Sequence, residues 1–254
     1  MPSQTIFFDL EGTLVHVKVD DSKVVEFLTG ELGRLNPGLN LQRALGAVEI
    51  LRQVEDKVEG SVLEETKKSA SSKLAEAEKA SAVSARERKD ARNALSSLQS
   101  KGIKAGAITG LSEQGAKEVL THVGLEGIVS IFASRDDSMD QRRRMTVALK
   151  KSGSKPDDVI FVADSSSDVE AARSSGVRCF AVYSQEVPVN EILASKPDAL
   201  LFSISELEDT LLLFDQKSKA QHVKPQSEEG APESGTPADP AKTAEPGPKM
   251  TGGR

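Results

Sequence analysis

Three short stretches of this 254-residue chain run apolar and then stop on residues that can do chemistry. TIFFDLEGT ends on Asp9, with Glu11, Gly12 and Thr13 just beyond. GAITG ends on Thr109 and Gly110. VIFVADSSSD ends on Asp164, with Asp168 four residues later. Asp9 and Asp164 are oxygen ligands of the kind Mg²⁺ prefers, with Asp168 as a further ligand or its holder, and Glu11 is counted with them. An aspartate beside such a metal can attack a phosphoryl group in line and form an aspartyl-phosphate. Glu11 can give a proton to the leaving oxygen and later take one from water. Thr109, Gly110, Thr13 and nearby backbone N–H groups are candidates to hold phosphoryl oxygens, and Gly12 would let the chain turn closely past a ligand.

The elements that must position these residues alternate along the chain. Apolar strands are expected at TIFFDL, Lys104–Thr109, VSIFAS, DDVIFVAD, VRCFAVY and ALLFSI, with helices between them. In the helix after GAITG, Ala116, Val119, Leu120 and Val123 share one face. Short apolar strands separated by helices imply a parallel sheet covered on both faces, an α/β fold. Ligands in such sheets bind at the carboxyl ends of strands, which is where Asp9, Thr109 and Asp164 stand.

The middle and the end of the chain read differently. Gln53 to Ser100 is rich in Ala, Glu, Lys and Ser without Pro or aromatic residues, a helix-favouring composition. Val54, Val58 and Val62 make one short stripe, but between Glu64 and Ala94 the large apolar residues are Leu74 and Val83 alone. An exposed helical insertion is expected. From Gln216 to Arg254 there is no Leu, Ile, Phe, Tyr or Trp, and six of the 11 prolines fall there, so a disordered tail is expected. A net charge of −6 argues against a general nucleic-acid binder. One cysteine, Cys179, excludes a disulfide framework. No apolar run approaches membrane-spanning length and no leader pattern opens the chain, so a cytoplasmic protein is expected.

DLEGTLV resembles the first motif of the haloacid dehalogenase-like (HAD) hydrolases, the superfamily of Asp-nucleophile phosphatases. GAITG resembles the second motif, and VIFVADSSSDVEAARSSGV the fourth with its following helix. The resemblance implies a Rossmann-like three-layer core over residues 1–16 and 101–215 and a helical cap over 17–100; the tail read from composition, 216–254, has no part in it. It implies Mg²⁺ and hydrolysis of a small phosphorylated metabolite through phospho-Asp9.

Two departures stand out. Glu11 occupies a position where most phosphatases of the family carry Asp. The third-motif lysine is missing: counting back from Asp164 puts it near Met139, with Arg142, Arg143 and Arg144 just after. Arg142 and Arg143 are taken as phosphate-binding candidates. An alternative reading follows from the missing lysine and the thinly apolar insertion. It is a non-catalytic regulatory protein on the same fold, docking a protein partner through the insertion or the tail.

Overall fold

A computed structural model describes residues 5–36, 46–55, 61–184 and 187–222. The chain divides into two units, 1–215 and 216–254. The first is built on a six-stranded, all-parallel sheet: β1 (Thr5–Asp9), β4 (Lys104–Ile108), β5 (Val129–Ala133), β6 (Val159–Ala163), β7 (Arg178–Val182) and β8 (Ala199–Leu201). Their order is β5-β4-β1-β6-β7-β8. β1 pairs on one side with β4, Asp9 opposite Ile108, and on the other with β6, Phe8 opposite Val162. β1 is therefore the switch point, where the chain has built in one direction and then crosses to the other. Open α/β sheets bind their ligands outside the strand tips at such a point.

The strands are apolar on both faces because both faces are covered. Side chains alternate along β1. Ile6 and Phe8 join a cluster with Ala91, Leu95 and Leu98 of α4 (Ala91–Ser100), Val119 and Leu120 of α5 (Glu113–His122), and Leu207 at the head of α9 (Leu207–His222). Phe7 points the other way. It packs with Met145 and Ala148 of α6 (Gln141–Ser152), Val169 and Ala172 of α7 (Ser166–Ser174), and Ile192 of α8 (Val189–Ala194). The result is the expected three-layer, Rossmann-like sandwich, with Cys179 fully buried in its core.

A two-stranded antiparallel ribbon, β2 (Val15–His16) and β3 (Arg86–Glu87), carries the chain out into the helical insertion and back. The insertion holds α1 (Ser22–Leu35), α2 (Ala47–Glu55) and α3 (Ser61–Ala82). Its own core contains Val24, Leu28 and Leu32 of α1, Ile50, Leu51 and Val54 of α2, and Leu63, Ala70 and Leu74 of α3. The insertion is thus less exposed than its composition suggests. Along α3 the buried residues Leu63, Thr66, Ala70, Leu74, Glu78 and Ser81 recur at three- and four-residue spacing. That stripe is made largely of small and polar residues, so it carries little hydrophobic signal; Val83, by contrast, is exposed.

Helix does not run unbroken to Ser100. It stops at Ala82, the ribbon intervenes, and α4 belongs to the sheet sandwich rather than to the insertion. The core therefore resumes before residue 101, at the return strand of the ribbon. Of the expected tail, residues 216–222 continue α9; the rest, like Val58, lies outside the described residues.

Candidate active site

The loop after β1 sets the geometry. Leu14 and Val15 donate their backbone N–H groups to the Leu10 carbonyl, and Gly12 N donates to Val15 O at 2.8 Å, which folds residues 10–15 into one tight turn. Gly12 sits at φ +84°, and a Cβ there would stand 2.3 Å from Asp164 Oδ2. Glycine is required on both counts: the turn must pass directly against the carboxylate that ends β6.

Asp9, Asp164 and Asp168 each place a carboxylate oxygen within 4.8 Å of the other two. β1 and β6 deliver the first two from adjacent strand ends. The third comes from the first turn of α7, fixed by its cap. Ser165 Oγ accepts from Asp168 N at 3.2 Å and donates to the Asp168 carboxylate, a reciprocal capping arrangement.

Three buried carboxylates this close repel one another. Burial, then the charges of Asp168, Glu11 and Asp164, push Asp9 well above the ordinary aspartate range. Burial most of all, with Asp164 and Glu11 adding to it and Ser165 and Arg144 opposing, lifts Asp168 to about 6. Clustered oxygen ligands with no comparable cationic load fit a hard divalent cation, which would relieve that repulsion.

Glu11 does not join the cluster. Its carboxylate accepts from Thr109 Oγ1 at 2.6 Å. Burial raises it, and the Thr109 hydrogen bond partly offsets the rise. Thr109 is held in turn by its own N–H to Ala133 O at 3.0 Å, and Leu111 N donates to its hydroxyl at 3.0 Å. Thr13 is fully buried, and its hydroxyl has no partner among the described residues. Gly110 adjoins Glu11, with 3.4 Å between a would-be Cβ and Oε1.

The basic residues are re-sorted. Arg142 and Arg143 are exposed on the outer side of α6. The arginine that turns inward is Arg144, 6% exposed, on the face it shares with Met145 and Ala148. Its Nη1 donates to the carbonyls of Ser138 and Met139, both at 2.9 Å. Its Nη2 donates to Gln141 Oε1, and Gln141 Nε2 donates to Asp168. Burial lowers its pKa, while the charges of Glu11, Asp168 and Asp9 act in the opposite sense, as expected of a cation facing those acids. Arginine stays protonated under ordinary conditions, and the Arg144 Nε has no partner among the described residues. The guanidinium thus reaches back to the carbonyl of Met139, the position where the family's lysine was expected. The sequence expectation named Arg142 and Arg143; the structure leaves those two exposed and turns their neighbour Arg144 inward. The spacing of Met145 and Ala148 is the signal that identifies Arg144.

A second buried charge group was missed altogether. Glu78 of α3 is 1% exposed and Arg135, just after β5, is 4% exposed; they form an ion pair. Glu78 also accepts from Ser112 N, at 3.2 Å to Oε2, and from Ser112 Oγ, while Ser112 Oγ caps α5 by accepting from Gly115 N at 3.0 Å. The insertion is fastened by this carboxylate to the loop that follows Thr109.

The chain belongs to the haloacid dehalogenase-like hydrolases, whose family model matches residues 6–182. Its curated relatives are phosphatases. It is 29% identical over 113 residues to a phosphoglycolate phosphatase of Synechococcus elongatus, 44% of this chain and 53% of that protein. It is 28% identical over 226 residues to phosphoglycolate phosphatase 1 of Pseudomonas aeruginosa, 84% of this chain and 80% of that one. It thus spans about half the length of the first relative and four-fifths of the second. In structure it is similar to a hydrolase from Pseudomonas syringae, with TM-score 0.59 and 19% identity, covering 83% of this chain and 98% of that one. No helix among the described residues is long and apolar enough to cross a membrane.

Proposed function

We propose that the protein is a Mg²⁺-dependent phosphatase that hydrolyses a small phosphate monoester through an aspartyl-phosphate on Asp9. The observation that carries this reading is the convergence of Asp9, Asp164 and Asp168 at the switch point of the sheet. Asp9, Asp164 and Asp168 would hold the metal, which would neutralise the acids and screen the charge of the phosphoryl group.

The chain's own residues supply the rest. A carboxylate oxygen of Asp9 attacks phosphorus as the bond from phosphorus to the substrate oxygen breaks, and Glu11 delivers a proton to that departing oxygen. Water then attacks the phospho-aspartate, Glu11 takes the proton, and inorganic phosphate leaves with Asp9 restored. Raised by burial, Glu11 can hold a proton nearer neutrality than an ordinary glutamate. Arg144, whose Nε has no partner among the described residues, holds a phosphoryl oxygen, Thr109 orients Glu11, and the helical insertion is the cap that excludes water. The names of the relatives support a short phosphorylated acid such as phosphoglycolate as a first substrate to assay.

The test is phosphate release from 4-nitrophenyl phosphate and 2-phosphoglycolate, with Mg²⁺ and with a chelator, by wild type and Asp9→Asn. Turnover that needs Mg²⁺ and vanishes in Asp9→Asn supports the reading. Equal turnover by the two proteins, or none by wild type on a broad panel of phosphate monoesters, refutes it.

A further inference from the structure

A cleft of about 580 Å³ opens beside the acids, between the β2–β3 ribbon and the tips of β7 and β8. Its inner end is Gly12 and Asp164, so it begins at the metal-ligand cluster. Tyr183 and Phe202 line it, their ring centroids 6.1 Å apart, and His16 and Lys89 stand at the ribbon side. Phe202 is 67% exposed and pairs with Tyr183 on the cleft wall, a two-ring surface on which a flat group can stack.

Ser184 lines the same cleft. It is 7% exposed, yet its hydroxyl has no hydrogen-bond partner among the described residues. Buried hydroxyls are nearly always satisfied, and one left unpaired against a cavity calls for a partner from within it. The cleft is also held open by structure. Arg88 donates to the carbonyls of Gly12 and Tyr183, bracing the ribbon against the tip of β7 across the cleft.

From these observations we infer that the cleft is a leaving-group subsite, and that it selects phosphate monoesters whose alcohol carries a flat ring, of the nucleoside monophosphate type. This rests on the phosphatase reading for its chemistry but not for its binding. The phosphoryl group would lie at the acids by Gly12 and Asp164, the ring against Phe202 and Tyr183, and a hydroxyl of the linking sugar on Ser184. A two-carbon acid would leave most of the volume to water, whereas ring-bearing ligands fill pockets of about 300–1,000 Å³. Lys89 adds a positive charge suited to a net-anionic ligand.

Binding rather than turnover tests the subsite. Adenosine 5′-monophosphate and 2-phosphoglycolate are titrated by calorimetry into Mg²⁺-loaded Asp9→Asn protein, alone and combined with Ser184→Ala, Phe202→Ala or, as a control away from the cleft, Leu193→Ala. Adenosine monophosphate should bind at least tenfold tighter than phosphoglycolate. Phe202→Ala should weaken it about tenfold, the order expected for loss of one stacking contact. Ser184→Ala should weaken it severalfold without lowering Tm, because the substitution removes an unpaired buried hydroxyl. Leu193→Ala should change neither affinity. Equal affinity for the two ligands, no binding of either, or no effect of Phe202→Ala and Ser184→Ala overturns the subsite. If adenosine monophosphate binds as stated but wild type turns over no ester, the subsite stands and the phosphatase reading fails.

Discussion

Thr109 spends its hydroxyl proton on Glu11, Oγ1 to Oε2 at 2.6 Å, so the residue expected to hold phosphoryl oxygens instead holds the proposed acid/base. The bond pulls the Glu11 pKa down against the rise caused by burial. Thr109→Val keeps the shape and removes the donor. The Glu11 carboxyl should then titrate higher, and the alkaline limb of the kcat/KM–pH profile, where Glu11 loses the proton it delivers, should move to higher pH, with kcat/KM on the plateau down about tenfold because Glu11 is no longer held in place. Thr109→Ser should restore both. An unmoved alkaline limb would show that Glu11 does not govern it.

Arg144 faces the acids with a planar fork fixed by two carbonyls and Gln141. Arg144→Met should lower kcat/KM about 100-fold, the scale of one lost charge-stabilising group. Arg144→Lys should recover part of this, because an ammonium cannot reproduce the fork. Arg142→Ala and Arg143→Ala, whose side chains are exposed, should change stability by no more than about 0.5 kcal/mol. Steady-state kinetics on the four variants, with Tm as a folding check, would separate the inward arginine from its neighbours.

Without metal the acid cluster destabilises the protein in a definite pH window. The Asp168 carboxyl titrates near 6 when folded against an ordinary 3.8, so the folded state holds that proton more tightly than the unfolded chain. Its contribution is complete below about pH 4 and is lost as the pH rises through 6; Asp9 and Glu11 are shifted in the same direction. Chelator-treated protein should therefore melt at a higher temperature at pH 5 than at pH 7.5. Mg²⁺ should raise Tm most at the higher pH, and Asp168→Asn should shrink the pH dependence. Thermal scans that rise steadily from pH 5 to 7.5 without metal in both proteins would contradict this.

Glu78 is buried with a partner on another element, so removing it strands a charge. Glu78→Ala should cost about 3–5 kcal/mol because Arg135 is left unpaired. The double change Glu78→Leu with Arg135→Met should be much milder, since neither charge then remains buried. Denaturant melts of the single and double variants measure this; equal losses would mean the pair is not coupled.

The strands and their chemistry were legible because a parallel sheet leaves a strong trace. Each strand is predominantly apolar, and the candidate residues Asp9, Thr109 and Asp164 sit where those runs stop. What was obscure depended on tertiary partners. α3 buries Thr66, Ala70 and Ser81 against neighbours that no hydropathy pattern announces. The β2–β3 ribbon has two-residue strands, too short to show a period. Arg144 was mixed with its neighbours because helix phase decides which of three consecutive arginines turns inward. Met145 and Ala148 fix that phase only once α6 is known to pack on the sheet.

The central place of β1 also governs how this chain can assemble. β1 precedes both of its neighbours in the chain: it waits for Lys104 before it gains one and for Val159 before it gains the other. Until then an apolar segment, TIFFDL, has open edges on both sides. Such long-range pairing is slow and leaves sticky surface exposed while the ribosome works. The helical insertion, whose core is drawn chiefly from residues 24–74, can collapse locally in that interval. The nascent chain can thus assemble its insertion before the sheet that the insertion interrupts is complete.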